Sequence, residues 1–564
     1  MGEGKVFKLL IAPVGNPKLY QKVTYYFEVE GRTIEKESPV TIPVLEEGLK
    51  PDRTAILVPD SVGIEGDRWS QELEERGVEG LYPLLVEEGI SLAKGRFEEV
   101  EGAGEREGRL FLPLSSRGRF RSYATSRVFH FEGGAQDYYY DFLYKLTHQI
   151  LPPYELGEFD GLEVYLDITH GVNFMPIFIY RGLLTATSLL AFLKPGRVKI
   201  KVFNTDPFIR GVTKILKIHQ IEERVITPVP LNRRLESASL LKPVSIPPAE
   251  RGRFFKEVKP RTDFYRYEGE LNSFIGSFYY GFPLVTTTFF PPVEEVEGHL
   301  RRMYQVYWEN VVGKEEGGEV IIEKRVHFTP AFELVTLASW QAQLVERGLG
   351  ISKRGEEGVE VSELKRIGEI FGNNSVFIAN ELNDLEERGQ FAGEEWECYN
   401  RIMERTERRN GVVVEVKRGE EELEELKGKL LKGVEELKRG IVRVGEILRR
   451  EVGGLEELER LGRFIEEQKL PPLFREERGE RGEEVYRKEP GEEQLPCGKE
   501  PGINPRNFRA HAGLERNSVE VRRSGEGGMM VRYAPVRLKE IEKVASGDLS
   551  PIKGYGEERR KRGK

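Results

Sequence analysis

Short apolar runs separated by longer helix-like stretches characterise the first 226 residues of the chain. Four runs are rich in β-branched residues and end in Pro, Gly or Asp: VFKLLIAPVG (6–15), TAILVPD (54–60), GLEVYLDITHG (161–171) and VKIKVFNTD (198–206). Such runs are typical of parallel strands covered on both faces. Between them, DYYYDFLYKLTHQI (137–150) and MPIFIYRGLLTATSLLAFL (175–193) have the length and apolar content of crossover helices. The pattern predicts an α/β domain with a doubly wound, mostly parallel sheet.

The pattern changes after residue 226. Residues 227–268 open with a Pro- and Arg-rich stretch that has no sustained period, as expected of a connector. Beyond it, Leu and Val recur every three or four residues among Glu and Lys, which predicts helices over 299–312, 332–346, 362–371 and 420–452. Residues 475–502 have almost no apolar content, and we expect a mobile insertion there. The predicted organisation is an α/β domain over 1–226, a connector over 227–268 and a mainly α-helical domain over 269–564.

Composition narrows the class of protein. No apolar run is long enough to span a bilayer and no charged-then-apolar leader opens the chain, so we expect a soluble, cytoplasmic protein with no membrane partner. Cys398 and Cys497 have no Cys or His at metal-ligand spacing, which favours two unpaired thiols and no metal site. Few Cys and Met, with 86 Lys plus Arg and 95 Asp plus Glu, favour a protein from a hot habitat. The net charge of −9 argues against bulk attraction to nucleic acid, so any such contact is local.

Glycine and polar residues cluster where the candidate strands end. The carboxyl ends of parallel strands meet at one edge of a sheet, where helix N-termini favour anions. The residues that follow the first and third strands are Gly15, Asn16, Pro17, Lys18, Thr169, His170, Gly171 and Asn173. A simple turn at 15–17 and a structural histidine at 170 are the competing interpretations. The chain lacks GxxxxGK[ST] and GxGxxG motifs, which disfavours NTP hydrolysis and hydride transfer and leaves a nucleotide sensor open.

A second candidate site is RNFRAH (506–511), in a chain with seven histidines. An unperturbed imidazole has a pKa of about 6.5, so His511 could accept or donate a proton as a ribose 2′-hydroxyl attacks the adjacent phosphate. Arg506 would brace the phosphate oxygens, and Asn507 would support either group. The competing interpretation is a helix end covered by arginines. Because one histidine serves poorly as both acid and base, two chains across a two-fold axis would make a better site.

RNFRAHAGLE (506–515) resembles the Arg-x4-6-His signature of HEPN ribonucleases, including the polar residue directly after the arginine. APVGNPKLY (12–20) and DITHGVNFMP (167–176) resemble the nucleotide-binding loops of Rossmann-like CARF domains. The order of the three motifs is similar to that of the CRISPR-associated CARF–HEPN effector ribonucleases of type III systems. The specific matches cover some forty residues, and the architecture covers the whole chain.

The resemblance implies a homodimer, possibly assembled into a larger oligomer, whose CARF pair binds a cyclic oligoadenylate, most often cyclic tetra-adenylate. This allosteric activator would switch on cleavage of single-stranded RNA without a metal or other cofactor, leaving a 2′,3′-cyclic phosphate, as part of antiviral defence. Arg506, Asn507 and His511 would form the catalytic set. Two alternatives stay open: a sensor whose non-catalytic helical half recruits a partner, and a ring nuclease that degrades its ligand with Thr169, His170 or Lys18. The absence of a basic recognition helix disfavours DNA.

Overall fold

One eight-stranded sheet organises the N-terminal half of the chain. The computed structural model describes residues 4–78, 80–101, 108–171, 174–236, 239–258, 262–354, 357–403, 497, 503, 505–524 and 528–547. The strands of this half are β1 (Val6–Pro13), β2 (Val23–Val29), β3 (Arg32–Ser38), β4 (Arg53–Pro59), β5 (Arg109–Leu114), β6 (Gly118–Arg121), β7 (Val128–Glu132), β8 (Gly161–Asp167), β9 (Val198–Thr205) and β10 (Ile215–Val225). Its helices are α1 (Ile42–Leu49), α2 (Arg68–Arg76), α3 (Leu81–Glu101), α4 (Ala135–Lys145), α5 (Pro153–Leu156) and α6 (Met175–Leu190).

The large sheet has the order β3-β2-β10-β9-β8-β1-β4-β5, and its members from β9 to β5 are all parallel. Successive residues of β1 serve opposite faces: Leu9 and Ile11 join one apolar core, while Leu10 and Ala12 join the other. A strand buried on both faces must be apolar at every position, which is why these runs do not alternate. The predicted doubly wound, mostly parallel sheet is confirmed.

The edge of this sheet departs from the prediction. Strands β2 and β3 form an antiparallel hairpin, and β10 runs antiparallel to β9 and parallel to β2. Buried positions alternate with more exposed ones in β2 and in the first part of β10, and β3 is largely polar, because one face of this edge is solvated. Their sequences therefore carry a weaker signal than the continuous apolar runs of the central strands.

The second half of the chain is mainly helical. Its helices are α7 (Pro248–Val258), α8 (Thr262–Tyr280), α9 (Pro283–Thr288), α10 (Val293–Glu309), α11 (Pro330–Leu349), α12 (Val361–Glu369), α13 (Ser375–Gly389), α14 (Pro505–Ala510) and α15 (Leu538–Ala545). Its strands are β11 (Leu241–Pro243), β12 (Val311–Glu316), β13 (Glu319–Lys324), β14 (Val326–Phe328), β15 (Val359–Glu360), β16 (Glu397–Cys398), β17 (Val519–Arg523) and β18 (Met529–Tyr533).

Helices α10, α11 and α12 occupy three of the predicted helical segments. The first ends at Glu309, earlier than predicted, because Val311 and Val312 begin β12, where β-branched residues are favoured. The strands of this half form three small sheets that were not predicted, with orders β11-β14, β12-β13-β7-β6 and β15-β18-β17-β16. The predictions over 420–452 and 475–502 lie outside the described residues, apart from Cys497. None of the described helices combines the length and apolar content that crossing a bilayer requires.

The prediction of two unpaired thiols is wrong. Cys398 and Cys497 form a disulfide, with their Cα atoms 5.3 Å apart. The two residues are separated by 99 positions in sequence, so spacing alone gave no indication of the bond. The disulfide joins the end of β16 to the segment that leads into α14.

Candidate functional site

The loops after β1 and β8 lie side by side, because these two strands are neighbours in the sheet. Strand β1 pairs with β4 on one side and with β8 on the other, and the chain fills the β4–β5 side before it returns across β1 to form β8 and β9. Such a switch point opens a crevice at the carboxyl ends of the strands, and ligands of open α/β sheets bind there. The fold thus brings together the two loops whose polar residues the sequence singled out.

In the first loop, the side chains mainly support the backbone. The backbone N–H of Gly15 donates to the Tyr20 hydroxyl at 2.5 Å, and the Asn16 side chain accepts from the N–H of Lys18 at 3.0 Å. Pro17 is buried at the start of a short 3-10 helix. The Lys18 ammonium donates to the Glu65 carbonyl at 2.5 Å, which ties the loop to the residues after β4.

The second loop places His170 against the first. The His170 ring lies 4.7 Å from the ring of Tyr20, and its Nε2 accepts from the N–H of Thr41 at 3.4 Å. Burial lowers the pKa of His170 below its usual value, although the Asp167 carboxylate opposes this effect. The imidazole is therefore neutral at neutral pH. Asp167 in turn accepts from the N–H of Thr169 at 2.9 Å.

Gly171 has a structural reason to be glycine. Its φ is 110°, in the region that side chains rarely adopt, and an added Cβ would lie 3.2 Å from the Cβ of Pro13. The close approach of the β8 loop to the end of β1 depends on this position. Asn173 lies outside the described residues.

A cavity of about 350 Å³ opens between these loops and the end of β9. Its size falls within the range of small-molecule sites. Of the predicted ligand residues, Thr169 and His170 line the cavity, and Gly15, Asn16, Pro17, Lys18 and Gly171 lie in the flanking loops. The sequence prediction missed Tyr20, Tyr25, Asn204 and Asp206, which also line it. Aromatic rings beside amide and carboxylate groups suit a nucleobase, because they offer a stacking face and hydrogen-bond partners.

The second site lies on the short helix α14. Arg506 and Asn507 are exposed, whereas Phe508 is fully buried, with its ring centroid 5.2 Å from that of Phe282 and 6.0 Å from that of Tyr533. The buried phenylalanine fixes the helix on the protein. Arg506 and Asn507 therefore face solvent from a fixed base.

His511 follows directly after α14 and continues its turn, since its N–H donates to the Asn507 carbonyl at 3.0 Å. The chain then reverses at Gly513, whose φ of 82° suits glycine and whose N–H donates to the Phe508 carbonyl at 2.8 Å. The Tyr533 hydroxyl donates to the Gly513 carbonyl at 2.9 Å. These bonds hold the backbone of His511 on both sides.

The side chain of His511 is oriented by a residue far away in sequence. Its Nδ1 lies 3.1 Å from Oε2 of Glu381, in the middle of α13. The imidazole is 41% exposed, so it is accessible to a substrate while one nitrogen is held. When Nδ1–H donates to the carboxylate, Nε2 is the basic nitrogen. The arrangement is that of a histidine positioned for proton transfer.

Within the described ranges, no group of three or more His, Cys, Asp or Glu side chains converges in a way that would hold a metal ion.

Comparison with known proteins identifies both halves. Residues 9–207 match the family model described as "CRISPR system endoribonuclease Csx1, CARF domain", and residues 442–535 match "CRISPR system endoribonuclease Csx1, HEPN domain". The second match spans RNFRAH. The domain boundaries at 226 and 268 stay predictions.

A curated relative agrees with this assignment. CRISPR system endoribonuclease Csx1 of Methanocaldococcus jannaschii is 27% identical over 389 residues, which cover 67% of this chain and 75% of the relative. The two domain models are those of a single family, occur in the order expected from the motifs, and together match just over half of the residues. The chain belongs to the CRISPR-associated CARF–HEPN effectors, a family of endoribonucleases.

Proposed function

We propose that the chain is a cyclic-oligoadenylate-activated endoribonuclease that cuts single-stranded RNA without a metal ion in type III CRISPR defence. The observation that carries the proposal is His511, held through Nδ1 by Glu381 beside the exposed Arg506 and Asn507. The same chain carries a cavity of nucleobase character at the switch point of its sheet. Cyclic tetra-adenylate is the activator we favour.

The chemistry follows from the held imidazole. Nε2 of His511 takes the proton of a ribose 2′-hydroxyl, and the 2′-oxygen attacks the adjacent phosphorus as the bond to the 5′-oxygen breaks. The products are a 2′,3′-cyclic phosphate and, after the 5′-oxygen gains a proton, a 5′-hydroxyl. Arg506 offers a planar fork of donors to the phosphate oxygens, on which negative charge increases in the transition state.

We propose a homodimer as the active form, because each chain supplies one His511 and the reaction needs both a base and an acid. Across a two-fold axis, the same histidine of the second chain can donate the proton to the leaving oxygen. A symmetric ring bound by two CARF domains contacts both chains. The ring activates cleavage to the extent that it binds the active arrangement of the dimer more tightly than the inactive one.

The test is cleavage of a labelled single-stranded RNA in EDTA, with and without cyclic tetra-adenylate. We expect cleavage by the wild type only with the ring, and a loss of at least about 100-fold in His511→Ala. His130→Ala is the matched control, since His130 also lies near a glutamate, Glu132, at 3.5 Å. Full cleavage by His511→Ala would refute the site.

Two other outcomes would support the alternative functions. A wild type that binds a ring but cleaves no RNA with any ring size would be a sensor with a non-catalytic helical half. Disappearance of the ring during the assay would indicate a ring nuclease, which the neutral imidazole of His170 in the cavity favours chemically. Ring cleavage can coexist with RNA cleavage, so the His511→Ala protein should retain it.

A further inference from the structure

Two cavities flank the connector where it crosses the helical half. One, of about 380 Å³, lies between the connector and the start of α11, and the other, of about 260 Å³, lies between the connector, α8 and the end of α15. Arg233 and Arg234 line both cavities. We call the two cavities together the connector groove. Neither touches the ligand cavity of the sheet.

The connector groove is locally cationic in a chain of net charge −9. Its lining includes Arg233, Arg234 and Lys242, against the single carboxylate of Glu236. The side chains of both arginines are exposed. This is the kind of local contact surface that an acidic protein needs in order to bind nucleic acid.

The pairing of Arg233 does not cancel this charge. Its guanidinium lies 2.7 Å from Glu333, but the same carboxylate is also 3.8 Å from Arg181 and accepts from the Tyr139 hydroxyl at 2.7 Å. One buried carboxylate thus serves two arginines. The Arg233 side chain remains 44% exposed, so it can bind a phosphate while Glu333 fixes its position.

An aromatic side chain stands beside these cations. Tyr279, near the end of α8, lines the smaller cavity and is 49% exposed, which is unusual for a residue with so large an apolar surface. Its ring is perpendicular to that of the half-buried Tyr280, with the centroids 4.9 Å apart, so this neighbour limits its motion. An exposed aromatic ring next to arginines is the arrangement on which unpaired bases stack while their phosphates are held.

The groove wall contacts the helix of the RNase site directly. The guanidinium of Arg509, on α14, lies over the Tyr280 ring at 4.8 Å. Tyr280 also stacks on Phe282 at 5.3 Å, and Phe282 packs edge-on against Phe508 of the same helix at 5.2 Å. A strand bound in the groove therefore lies one side chain away from the helix that carries Arg506.

We propose that the connector groove binds the single-stranded RNA substrate next to the catalytic site, with Arg233 and Arg234 on its phosphates and Tyr279 stacked on a base. This inference rests on the proposed RNase function and adds a substrate subsite to it. Because stacking and phosphate contacts do not read base edges, the subsite contributes affinity with little base preference.

The test measures RNA affinity in the full-length His511→Ala background, so that binding is separated from cleavage. Labelled 12-nucleotide oligo-U and oligo-A are titrated by fluorescence anisotropy. We expect Tyr279→Ala and Arg234→Ala each to weaken the binding of oligo-U and of oligo-A by roughly 5- to 100-fold. Arg234→Ala should also reduce the slope of log affinity against log salt by about 0.7, which a purely structural defect would not do.

The matched controls are Tyr123→Ala, which removes a tyrosine that is 68% exposed on the sheet domain, and Arg32→Ala, which removes an arginine that is 59% exposed. Both should bind RNA like the parent. If Tyr279→Ala fails to fold, Tyr279→Trp should retain or strengthen binding. Photocrosslinking of 4-thiouridine RNA to the parent protein should label the peptide that contains Tyr279.

The outcomes separate this inference from the function on which it rests. If the wild type cleaves RNA but Tyr279→Ala and Arg234→Ala bind it like the controls, the groove is not the RNA path. If these variants instead change the oligomeric state without changing RNA affinity, the groove belongs to a protein interface. If the wild type neither binds nor cleaves RNA with any ring, the proposed function itself fails.

Discussion

At the scale of single residues, the contact between His511 and Glu381 decides what the RNFRAH motif can do. An imidazole on an exposed turn samples several rotamers, and either nitrogen can carry the proton. The 3.1 Å contact to the Glu381 carboxylate selects one orientation and one tautomer. Glu381 does not itself need to touch the substrate, so we regard it as a positioning residue.

We expect Glu381→Gln to lower kcat for RNA cleavage by at least about 10-fold with little change in KM, because orientation of the base is lost while RNA contacts remain. Glu381→Asp should recover part of the loss. Steady-state kinetics with the activating ring present would measure both. Glu386→Gln is the control, since Glu386 is an exposed residue of the same helix and is paired with Lys365. An unchanged kcat in Glu381→Gln would show that His511 works without this contact.

At the scale of elements, the disulfide ties β16 to the segment preceding α14. It closes a loop spanning 99 positions, most of which lie outside the described residues. Strand β16 pairs with β17, which follows α14 in sequence. The covalent bond therefore limits how far the two ends of the loop can separate, and with them the base on which α14 rests.

Loss of this bond should destabilise the protein by about 4 to 5 kcal/mol, the loop-closure entropy expected for roughly 100 residues. The measurement is chemical unfolding of the wild type with and without a phosphine reductant. The Cys398→Ser/Cys497→Ser double variant should have the same free energy of unfolding as the reduced wild type, and the reductant should not change it. Two titratable thiols in the denatured, unreduced protein would contradict the expected result.

At the scale of the whole molecule, a buried ion pair joins the sheet domain to the helical half. Lys324, at the end of β13, lies 3.0 Å from Asp60 after β4, and both side chains are completely buried. The Lys324 ammonium also donates to the Ser116 carbonyl at 2.7 Å, and the Tyr82 hydroxyl donates to Asp60 at 2.8 Å. Nearby, β13 pairs with β7, so one small sheet is shared by both halves. These contacts fix the end of β13 against the residues that follow β4.

We expect Lys324→Met to lower the free energy of unfolding by about 3 to 5 kcal/mol, because Asp60 would be left as an uncompensated buried charge. Lys314→Met on the neighbouring strand is the control, since this lysine is 42% exposed and should contribute less than about 1 kcal/mol. Unfolding in urea would measure the free energy of unfolding of both variants. Adding Asp60→Asn to Lys324→Met should restore part of the lost free energy of unfolding. If it does not, the destabilisation by Lys324→Met does not come from the unpaired Asp60 carboxylate.

The central strands could be predicted from sequence because β1, β4 and β8 are buried on both faces along most of their length and so are almost continuously apolar. The turn that holds RNFRAH could be anticipated from the Ala-Gly pair that follows His511. The edge strands and the small sheets could not be predicted from sequence, since their mixture of apolar and polar residues resembles that of ordinary surface segments. The cavity was only half predicted, because Thr169 and His170 follow a strong strand, whereas Asn204 lies within β9 and Tyr25 lies within the unpredicted edge strand β2.

The sequence by itself determined the doubly wound sheet, the positions of the loops after β1 and β8 and the arginine–histidine motif, because these depend on local pattern and on residue chemistry. Only the tertiary structure decided which distant residues meet: Glu381 with His511 across 130 positions, Cys398 with Cys497, and the connector arginines with Tyr279. The physical reason is that a local pattern specifies which face of an element is buried. The partner that covers that face is chosen by the packing of the whole chain.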